Sequence, residues 1–414
     1  MEMKAIHKKR GSTDLSAVVA FGEDYLRKSS IDSGECVPEP LKPGSKIRPV
    51  VSEEDVRKLA ERLYGIIVLE MGEMDSYDDK NFLIQADTLI KNPILKTVSS
   101  NGYVLKIANS LDSQNEAFFE GQAEIMLLLQ SHHIICPTPI ENIYGKYHSV
   151  EKLGDGQHVV RLLEYVPGKV FHGIPHPDRL FYDAGTFIGR IDSALKSITH
   201  EGILKRQSIW MLNNVPQLKE FLYVIKDEHH KDIIEQVLEA FDKKIVPNLD
   251  EFEHGVIHGD FNEHNIIVSR KEDDHIKEYD IAGIIDFGDC CYSLYVFELA
   301  IAMTYLMLEA NDLDTGGLVM AGYSMIRVIP PHEKEALKVA IAARLCQSLV
   351  LGLYTSTVDE NNQYILSTQA RGWKLLEALW CEKDVDILER WEMVAERYLT
   401  RSERFANVLD DQQV

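Results

Sequence analysis

Basic residues are scarce in this sequence relative to acidic ones. The 414-residue chain has 44 lysines and arginines against 66 aspartates and glutamates, which gives a formal net charge of −22 at pH 7. Nucleic acids and anionic membranes are bound through basic patches, so this balance argues against both as the main partner. It agrees with an acidic solvated surface and, more weakly, with a cationic small-molecule substrate.

Long apolar runs, paired cysteines and an N-terminal signal sequence are also missing. The six cysteines are scattered without a CxxC pair, which predicts buried free thiols in a reducing compartment. No apolar run reaches the roughly 18 residues of a membrane span. The basic residues near the N-terminus are not followed by the apolar core of a signal peptide. A cytoplasmic protein is therefore expected.

The succession of strand-like and helical patterns predicts two lobes of an α+β fold. We expect a flexible tail at 1–48, a β-rich nucleotide-binding N-lobe at 49–166, a mainly helical C-lobe at 167–405 and a tail at 406–414. The strand-like segments and one long helix fall in the N-lobe, and from Asp178 onward the apolar residues recur at helical spacing. The chain is long enough for two such lobes.

Two short motifs in the predicted C-lobe carry the chemistry. The stretch HGDFNEHN contains Asp260 and, five residues later, Asn265, while the stretch IIDFGD contains Asp286 after an apolar strand. Kinase-type phosphoryl transfer needs one carboxylate to orient the acceptor hydroxyl and two oxygen ligands for magnesium. Asp260 fits the first role, and Asn265 with Asp286 fits the second, because Mg²⁺ prefers oxygen ligands. The two motifs in this order predict a kinase.

The first motif has a second interpretation as a zinc site, because His258 and His264 both lie in it. The two are six residues apart on a non-helical segment, and no third histidine or cysteine stands at a standard zinc-ligand spacing. We therefore expect His258 to support the loop by a hydrogen bond to the backbone or to Asp286. His264 either contacts the substrate or is an ordinary loop residue.

A buried cation is predicted in the N-lobe. Lys106 lies within the apolar strand YVLKIAN, where a lone charge is costly unless it is paired. The helix that follows has Glu116, Glu120 and Glu124 on one face. Glu120 is the expected partner of Lys106, with the other two as alternatives, and the pair would position the α- and β-phosphates of a nucleotide.

Glycine is absent where protein kinases have a glycine-rich loop. The connection SYDDKNF between the first two strands contains none, so backbone amides and the Ser76 hydroxyl are expected to cap the phosphates. The segment LLEYVPGK marks the change from strands to helices. Its backbone from Glu164 to Val166 is expected to face the nucleotide base.

On these motifs the chain resembles the aminoglycoside phosphotransferase-like small-molecule kinases, over about residues 50–405. Within that family, the stretches YGIIVLEMGEMDSYDDKNF and WMLNNVPQLKEFL are similar to the branch that phosphorylates 5-hydroxy-L-lysine with GTP, the hydroxylysine kinases. The resemblance implies a bilobal protein-kinase-like fold and assigns the catalytic, magnesium-binding and phosphate-positioning roles to the residues named above. It implies GTP as the phosphate donor, with ATP as the alternative, since nothing in the predicted hinge distinguishes the two bases.

An acceptor with two ammonium groups and one carboxylate calls for acidic side chains and at least one arginine. Asp289, Glu263 and Glu298 lie beside the two motifs and are candidates for the ammonium groups. Asp289 has an alternative role as the cap of a helix that starts near Tyr292. Arg344, in an apolar helix, binds either the substrate carboxylate or a protein acid.

Three alternative functions are kept beside this one. They are a kinase for another amino-alcohol or sugar such as choline, homoserine or an aminoglycoside, a protein kinase, and a nucleotide-binding scaffold without activity. No Ala-Pro-Glu segment follows the Asp-Phe-Gly, which argues against a protein substrate, and every catalytic position holds a competent residue, which argues against a scaffold. The expected partners are a nucleoside triphosphate and a small hydroxylated amine or amino acid, without nucleic acid or membrane.

Overall fold

The structure is a computed structural model and describes residues 46–270, 278–358 and 369–411. Nearly all of the predicted N-terminal tail therefore lies outside the described residues. The backbone of the last helix runs through part of the predicted C-terminal tail, as far as Asp411.

The first helix, α1 (Glu53–Tyr64), begins and ends where its sequence predicts. The Asp55 amide donates to the Ser52 hydroxyl and the Ser52 amide donates to the Asp55 carboxylate, which is a reciprocal capping box. Gly65 ends the helix with a φ of 61°, a left-handed conformation that glycine adopts without strain. The apolar face of α1 is buried against the strands that follow it.

One antiparallel sheet forms most of the N-terminal part. Its strands are β1 (Ile66–Met74), β2 (Lys80–Ile90), β3 (Tyr103–Ile107), β4 (Pro139–Ile140), β5 (Ser149–Leu153) and β6 (Gly156–Glu164). The order is β1–β2–β3–β6–β4, with β5 also paired to β6. Its register places Asn81, Lys106 and Arg161 in one cross-strand row, so that two cations are neighbours in an otherwise apolar region. The helix α2 (Glu116–Ser131) lies between β3 and β4 in the chain.

Helices dominate the rest of the described chain. They are α3 (Asp178–Leu195), α4 (Glu201–Leu204), α5 (Glu228–Lys244), α6 (Tyr295–Ala310), α7 (Thr315–Ser324), α8 (Pro331–Val358), α9 (Gln369–Cys381) and α10 (Asp384–Asp411), with 3₁₀ segments at Leu212–Val224 and Val246–Glu251. Their apolar faces meet in one large core, to which α2 and β6 also contribute. The helices therefore pack around a common centre rather than forming separate units.

Two small sheets hold the motif loops together. β7 (Lys169–Val170), β9 (Ile266–Arg270) and β10 (Tyr279–Ile284) form one antiparallel sheet, and β8 (His254–Ile257) with β11 (Cys291–Leu294) forms the other. The loop after β8 crosses to β9, and the loop after β10 crosses back to β11. Because both loops join the same two sheets, they meet at the same place in the fold.

One helix departs from the expectation that no segment is apolar enough to span a membrane. Pro331–Thr357, in α8, is long and apolar enough to do so, but 89% of its most apolar 18-residue stretch is buried inside the protein. Such burial is typical of the core helix of a globular fold. The cysteines behave as predicted within the described residues: none is in a disulfide, and all but Cys381 are buried.

Together these elements confirm the predicted fold class. The chain is an α+β protein with a sheet-containing N-terminal part and a larger, mainly helical C-terminal part. This is the two-part arrangement that the resemblance implies.

Candidate active site

Asp260 is fixed by three side chains at the centre of the loop between β8 and β9. Nδ2 of Asn262 and Nδ2 of Asn265 each donate to its Oδ2 at 2.8 Å, and Nη2 of Arg344 donates to its Oδ1 at 2.9 Å. Nδ2 of Asn265 also donates to the Asp260 carbonyl at 2.9 Å. The Asp260 side chain keeps 23% of its surface exposed. It is therefore held in one direction and still accessible to a small molecule.

His258 joins the two motif loops, as predicted for a hydrogen bond to the backbone. Its Nε2 donates to the Ile285 carbonyl at 3.1 Å, and the Asp260 amide donates to its Nδ1 at 3.3 Å. One ring nitrogen donates while the other accepts, which only the neutral imidazole can do. Burial lowers the pKa of His258, which also favours the neutral form. His258 is thus a structural residue of the loop and not a metal ligand.

Arg344 is buried on α8, with 1% of its surface exposed, and its acidic partner is Asp260. Besides the bond to Asp260, its Nε donates to the Tyr305 hydroxyl at 3.1 Å, and its Nη1 donates to the Trp210 carbonyl at 3.1 Å and to Gln347 Oε1 at 2.9 Å. The sequence left two partners open for Arg344, and in the structure its partner is the protein acid. The assignment of Arg344 to a substrate carboxylate is therefore wrong for this conformation, because the guanidinium is already engaged.

Asn265 and Asp286 offer two oxygen donors on adjoining loops. The Ile285 amide donates to the Asn265 carbonyl at 2.9 Å, which holds the two loops side by side. Asn265 turns its Nδ2 towards Asp260, so its Oδ1 is the end left for another group. Asp286 has a φ of 61°, an uncommon conformation for a residue with a side chain and one found most often at functional sites.

The electrostatics of Asp286 suit a metal ligand. Burial acts to raise the pKa of Asp286, but the Lys106 ammonium and the Arg161 guanidinium outweigh it and lower that pKa to about 2. Its Oδ1 accepts hydrogen bonds from Lys106 and from the Gly288 amide, while the side chain remains 42% exposed. A charged carboxylate beside an amide oxygen, with room for water and phosphate, is the donor set that Mg²⁺ prefers. The residues present fit the predicted ion.

Lys106 has a different partner from the one the sequence predicts. Its Nζ donates to Asp286 Oδ1 at 2.9 Å. Glu120 is exposed on α2, and so are Glu116 and Glu124. The prediction of a Lys106–Glu120 pair is wrong here because the face of α2 that carries these glutamates points to solvent. Four-residue spacing identifies a shared face but not the direction in which it points.

The sequence analysis missed Arg161, the second buried cation of the sheet. Arg161 pairs in register with Lys106, is 5% exposed, and donates from Nη1 to Oε1 of Gln122 on the buried face of α2. Asp286 and Asp79 are among the charges that act on it. The signal was available, since Arg161 interrupts the apolar strand HVVRLLE just as Lys106 interrupts its own.

The glycine-free loop between β1 and β2 is held by its own side chains. The Ser76 hydroxyl donates to the Asp79 carbonyl at 2.5 Å, so the group expected to cap phosphates is used within the loop. Asp79 Oδ1 in turn accepts from the amide and Nδ2 of Asn109. The Tyr77 hydroxyl reaches α8, where it contacts the Leu351 carbonyl and the Thr355 hydroxyl. The loop therefore bridges the sheet and the helical part without glycine.

The segment predicted to face the nucleotide base ends β6. The Glu164 amide donates to the Thr138 carbonyl, and the Tyr165 amide donates to the Gly102 carbonyl. Val166 is buried, with 7% of its surface exposed. The structure thus fixes this stretch of backbone at the point where the sheet ends, and its contact with a base stays a prediction.

Two of the proposed acceptor-binding acids have different surroundings. Asp289 is not a helix cap, because residues 291–294 form β11 and α6 begins only at Tyr295. Burial and the Asp260 charge raise the pKa of Asp289 to about 7, against the attraction of Arg344. Glu298 is fully buried and its Oε2 accepts from the Gly259 amide at 2.8 Å. Glu298 thus supports the loop of Asp260 from within the core, and its assignment to substrate is wrong for this conformation.

Glu263 and His264 lie on the same loop as Asp260, next to His172. Glu263 is 2% exposed, and burial raises its pKa to about 7. Its Oε1 is 3.5 Å from Nε2 of His264, which is partly exposed. The His264 ring also faces the His172 ring, with 4.8 Å between their centroids. Neither residue is excluded from contact with a small molecule.

Comparisons with known proteins show what the chain is similar to. The sequence profile of the phosphotransferase enzyme family (APH) matches residues 92–324. The hydroxylysine kinase of Bos taurus is 33% identical over 365 residues, which is 85% of this chain and 95% of that protein. That of Xenopus laevis is 32% identical over 364 residues, which is 85% of this chain and 96% of that protein.

Among solved structures, an amicoumacin kinase in complex with AMP-PNP, Ca²⁺ and Ami has a similar fold. It matches with a TM-score of 0.58 and 16% identity over 81% of this chain and 97% of that one. At this identity the match concerns the fold alone.

Proposed function

Because the chain belongs to the phosphotransferase enzyme family and acts on an alcohol group, we propose that it transfers the γ-phosphate of GTP, or of ATP, to the hydroxyl of 5-hydroxy-L-lysine. The observation that carries the proposal is the carboxylate of Asp260, which is fixed by Asn262, Asn265 and Arg344 and is still exposed. A fixed and accessible carboxylate is what orientation of an acceptor hydroxyl requires.

In this proposal Asp260 accepts the hydroxyl proton as the acceptor oxygen attacks the γ-phosphorus in line with the leaving group. The transition state of phosphoryl transfer is loose, so the position of the carboxylate matters more than its basicity. Arg344 is a positioning residue that acts through Asp260, because it contacts Oδ1 and is buried. Two amide donors on Oδ2 leave the carboxylate one preferred direction for the incoming hydroxyl.

Lys106 is proposed to bind the nucleotide phosphates, with Arg161 beside it as a second positive charge. Both lie in the cross-strand row that ends next to Asp286. Asn265 and Asp286 would hold Mg²⁺, which neutralises phosphate charge when it is bound. The lowered pKa of Asp286 keeps its carboxylate charged for that role throughout the neutral range.

The acceptor is proposed to be a small hydroxylated amino acid with cationic groups. Asp289 supports this, because it is an acid within electrostatic reach of Asp260. Glu263 is a second acid on the same loop. The relatives of similar length that are named hydroxylysine kinases support this acceptor more directly than the site does. The choice of GTP rests on the resemblance alone. The proposed cytoplasmic location rests on composition.

The test is to incubate the purified protein with 5-hydroxy-L-lysine, GTP and Mg²⁺ and to look for the phosphorylated amino acid by mass spectrometry. We expect a product about 80 Da heavier than the acceptor, because one phosphoryl group is added. This product should be absent when a chelator is added and when Asp260 is replaced by alanine. Absence of product with either nucleotide would contradict the proposed acceptor. In that case nucleoside-diphosphate release measured with other hydroxylated acceptors separates a kinase for another acceptor, which turns over, from a nucleotide-binding scaffold, which does not.

A further inference from the structure

Three side chains beside Asp260 form a cluster whose two histidines have no role in the proposed reaction. His172 follows β7, and Glu263 and His264 lie between Asp260 and Asn265. One potential ligand atom from each of the three lies within 4.8 Å of the others. A tetrahedral ion with nitrogen and oxygen ligands at about 2.1 Å holds its donor atoms about 3.4 Å apart, so small side-chain movements suffice.

Backbone hydrogen bonds fix the two segments that carry the cluster. The His172 amide donates to the Glu263 carbonyl at 2.9 Å, and the Phe171 amide donates to the Ile266 carbonyl at 2.9 Å. These bonds continue the pairing of β7 with β9. These bonds therefore fix the backbone positions from which the three side chains extend.

Glu309 holds the His172 ring in the way that protein carboxylates hold metal-binding histidines. Its Oε2 is 3.0 Å from His172 Nδ1, and its Oε1 accepts from the Gly173 amide at 3.1 Å. A histidine that binds metal nearly always donates its other ring N–H to a carboxylate, carbonyl or water. With Nδ1 committed to Glu309, Nε2 of His172 is the atom that faces a ligand.

The second observation that points to a ligand is the unsatisfied oxygen of Glu263. Glu263 is 2% exposed, and within the described chain its Oε2 has no hydrogen-bond partner. A buried carboxylate oxygen without a partner is unfavourable, because burial removes its hydration. A cation coordinated by Glu263 and the two histidines removes that deficit.

We propose that His172, Glu263 and His264 bind one divalent transition-metal ion of the Zn²⁺ class. Two imidazoles and one carboxylate suit Zn²⁺, Co²⁺ or Ni²⁺, whereas Mg²⁺ prefers oxygen donors and would bind at Asn265 and Asp286. Three protein ligands leave a coordination position for water. The His172 side chain is 42% exposed, so the ion can enter from solvent. The sequence could not reveal the site, because His172 lies 92 positions before His264.

Cobalt is the probe, since its visible absorption reports coordination without any measurement of turnover. The full-length protein is stripped with a chelator, placed in excess Mg²⁺ to saturate the oxygen donors, and titrated with Co²⁺ and then with Zn²⁺. We expect one Co²⁺ per chain with tetrahedral-type absorption that Zn²⁺ abolishes. His172→Ala is expected to remove the absorption. Glu309→Gln should weaken affinity about 10- to 100-fold, as loss of an outer-shell partner does.

His229→Ala is the matched control, because His229 is exposed on α5, outside the cluster. It should bind Co²⁺ like the unmodified chain. Nucleotide binding by His172→Ala, measured by thermal shift, shows that the variant is folded. Unchanged Co²⁺ absorption in His172→Ala, or no absorption in the unmodified chain, would overturn the proposal. Neither result bears on whether the protein is a hydroxylysine kinase.

Discussion

Replacing Arg344 by methionine removes the guanidinium from Asp260 and keeps the length of the side chain. Arg344 is 1% exposed and makes four hydrogen bonds, of which the one to Asp260 Oδ1 is 2.9 Å long. Breaking a buried ion pair costs about 3–5 kcal/mol. Asp260 keeps two amide donors and 23% exposure, so water offsets part of that loss. We expect the free energy of unfolding to fall by about 2–3 kcal/mol.

The expected effect on catalysis is larger than the effect on binding. Without Arg344 the Asp260 carboxylate can rotate about its remaining contacts, and a misplacement of about 1 Å costs on the order of 100-fold in rate. That factor corresponds to about 2.7 kcal/mol of activation free energy. Steady-state kinetics should therefore show kcat of Arg344→Met reduced about 100-fold, with little change in the acceptor KM.

A double-mutant cycle tests whether Arg344 acts through Asp260. In the Asp260→Ala background, Arg344→Met should cause almost no further loss of kcat, because the group it positions is gone. Lys338→Met is the control for general damage: Lys338 is a buried cation on the same helix, 3.0 Å from Asp384 and outside the site. A rise in acceptor KM at normal kcat would mean that Arg344 binds the acceptor, and equal losses in Lys338→Met would mean that only stability is affected.

Three further predictions concern the general base, the metal ligand and the phosphate-binding lysine. Asp260→Ala should lower kcat by about 10²- to 10⁴-fold, as loss of a general base does. The nucleotide Kd, measured by equilibrium titration, should be unchanged, and near-normal turnover would rule out Asp260 as the general base. Asp286→Ala should abolish the Mg²⁺-dependent part of nucleotide binding, measured with and without chelator, and unchanged binding would remove it as a metal ligand. Lys106→Met should raise the nucleotide KM at least about tenfold while Glu120→Gln leaves it unchanged; the opposite ranking would restore the ion pair with Glu120.

Local patterns predicted those parts of the fold that depend on neighbouring residues. The α1 helix has its cap at Ser52 and its stop at Gly65 because hydrogen bonding and backbone conformation there are local. The order of strands and helices followed from periodicity, since each type of element buries its apolar residues at a characteristic spacing. The two motif loops were identifiable because their chemistry is encoded in short, contiguous stretches.

Contacts between distant segments could not be predicted in the same way. Lys106 needed an acidic partner, but sequence could not show that Asp286, 180 positions away, is nearer than Glu120. Burial of Arg344 was expected, whereas its bond to Asp260 depends on how α8 packs against the catalytic loop. Glu298 was placed beside the motifs correctly, but only the fold shows that it points into the core beneath Gly259.

The most direct test of the central claim is a nucleoside-diphosphate release assay that compares acceptors and donors in one matrix. kcat/KM is measured for 5-hydroxy-L-lysine, choline, homoserine and an aminoglycoside, each with GTP and with ATP in the presence of Mg²⁺. The account predicts turnover of 5-hydroxy-L-lysine, with the other acceptors inactive or far weaker, and loss of that turnover in Asp260→Ala. Turnover of choline, homoserine or the aminoglycoside without turnover of 5-hydroxy-L-lysine would contradict it.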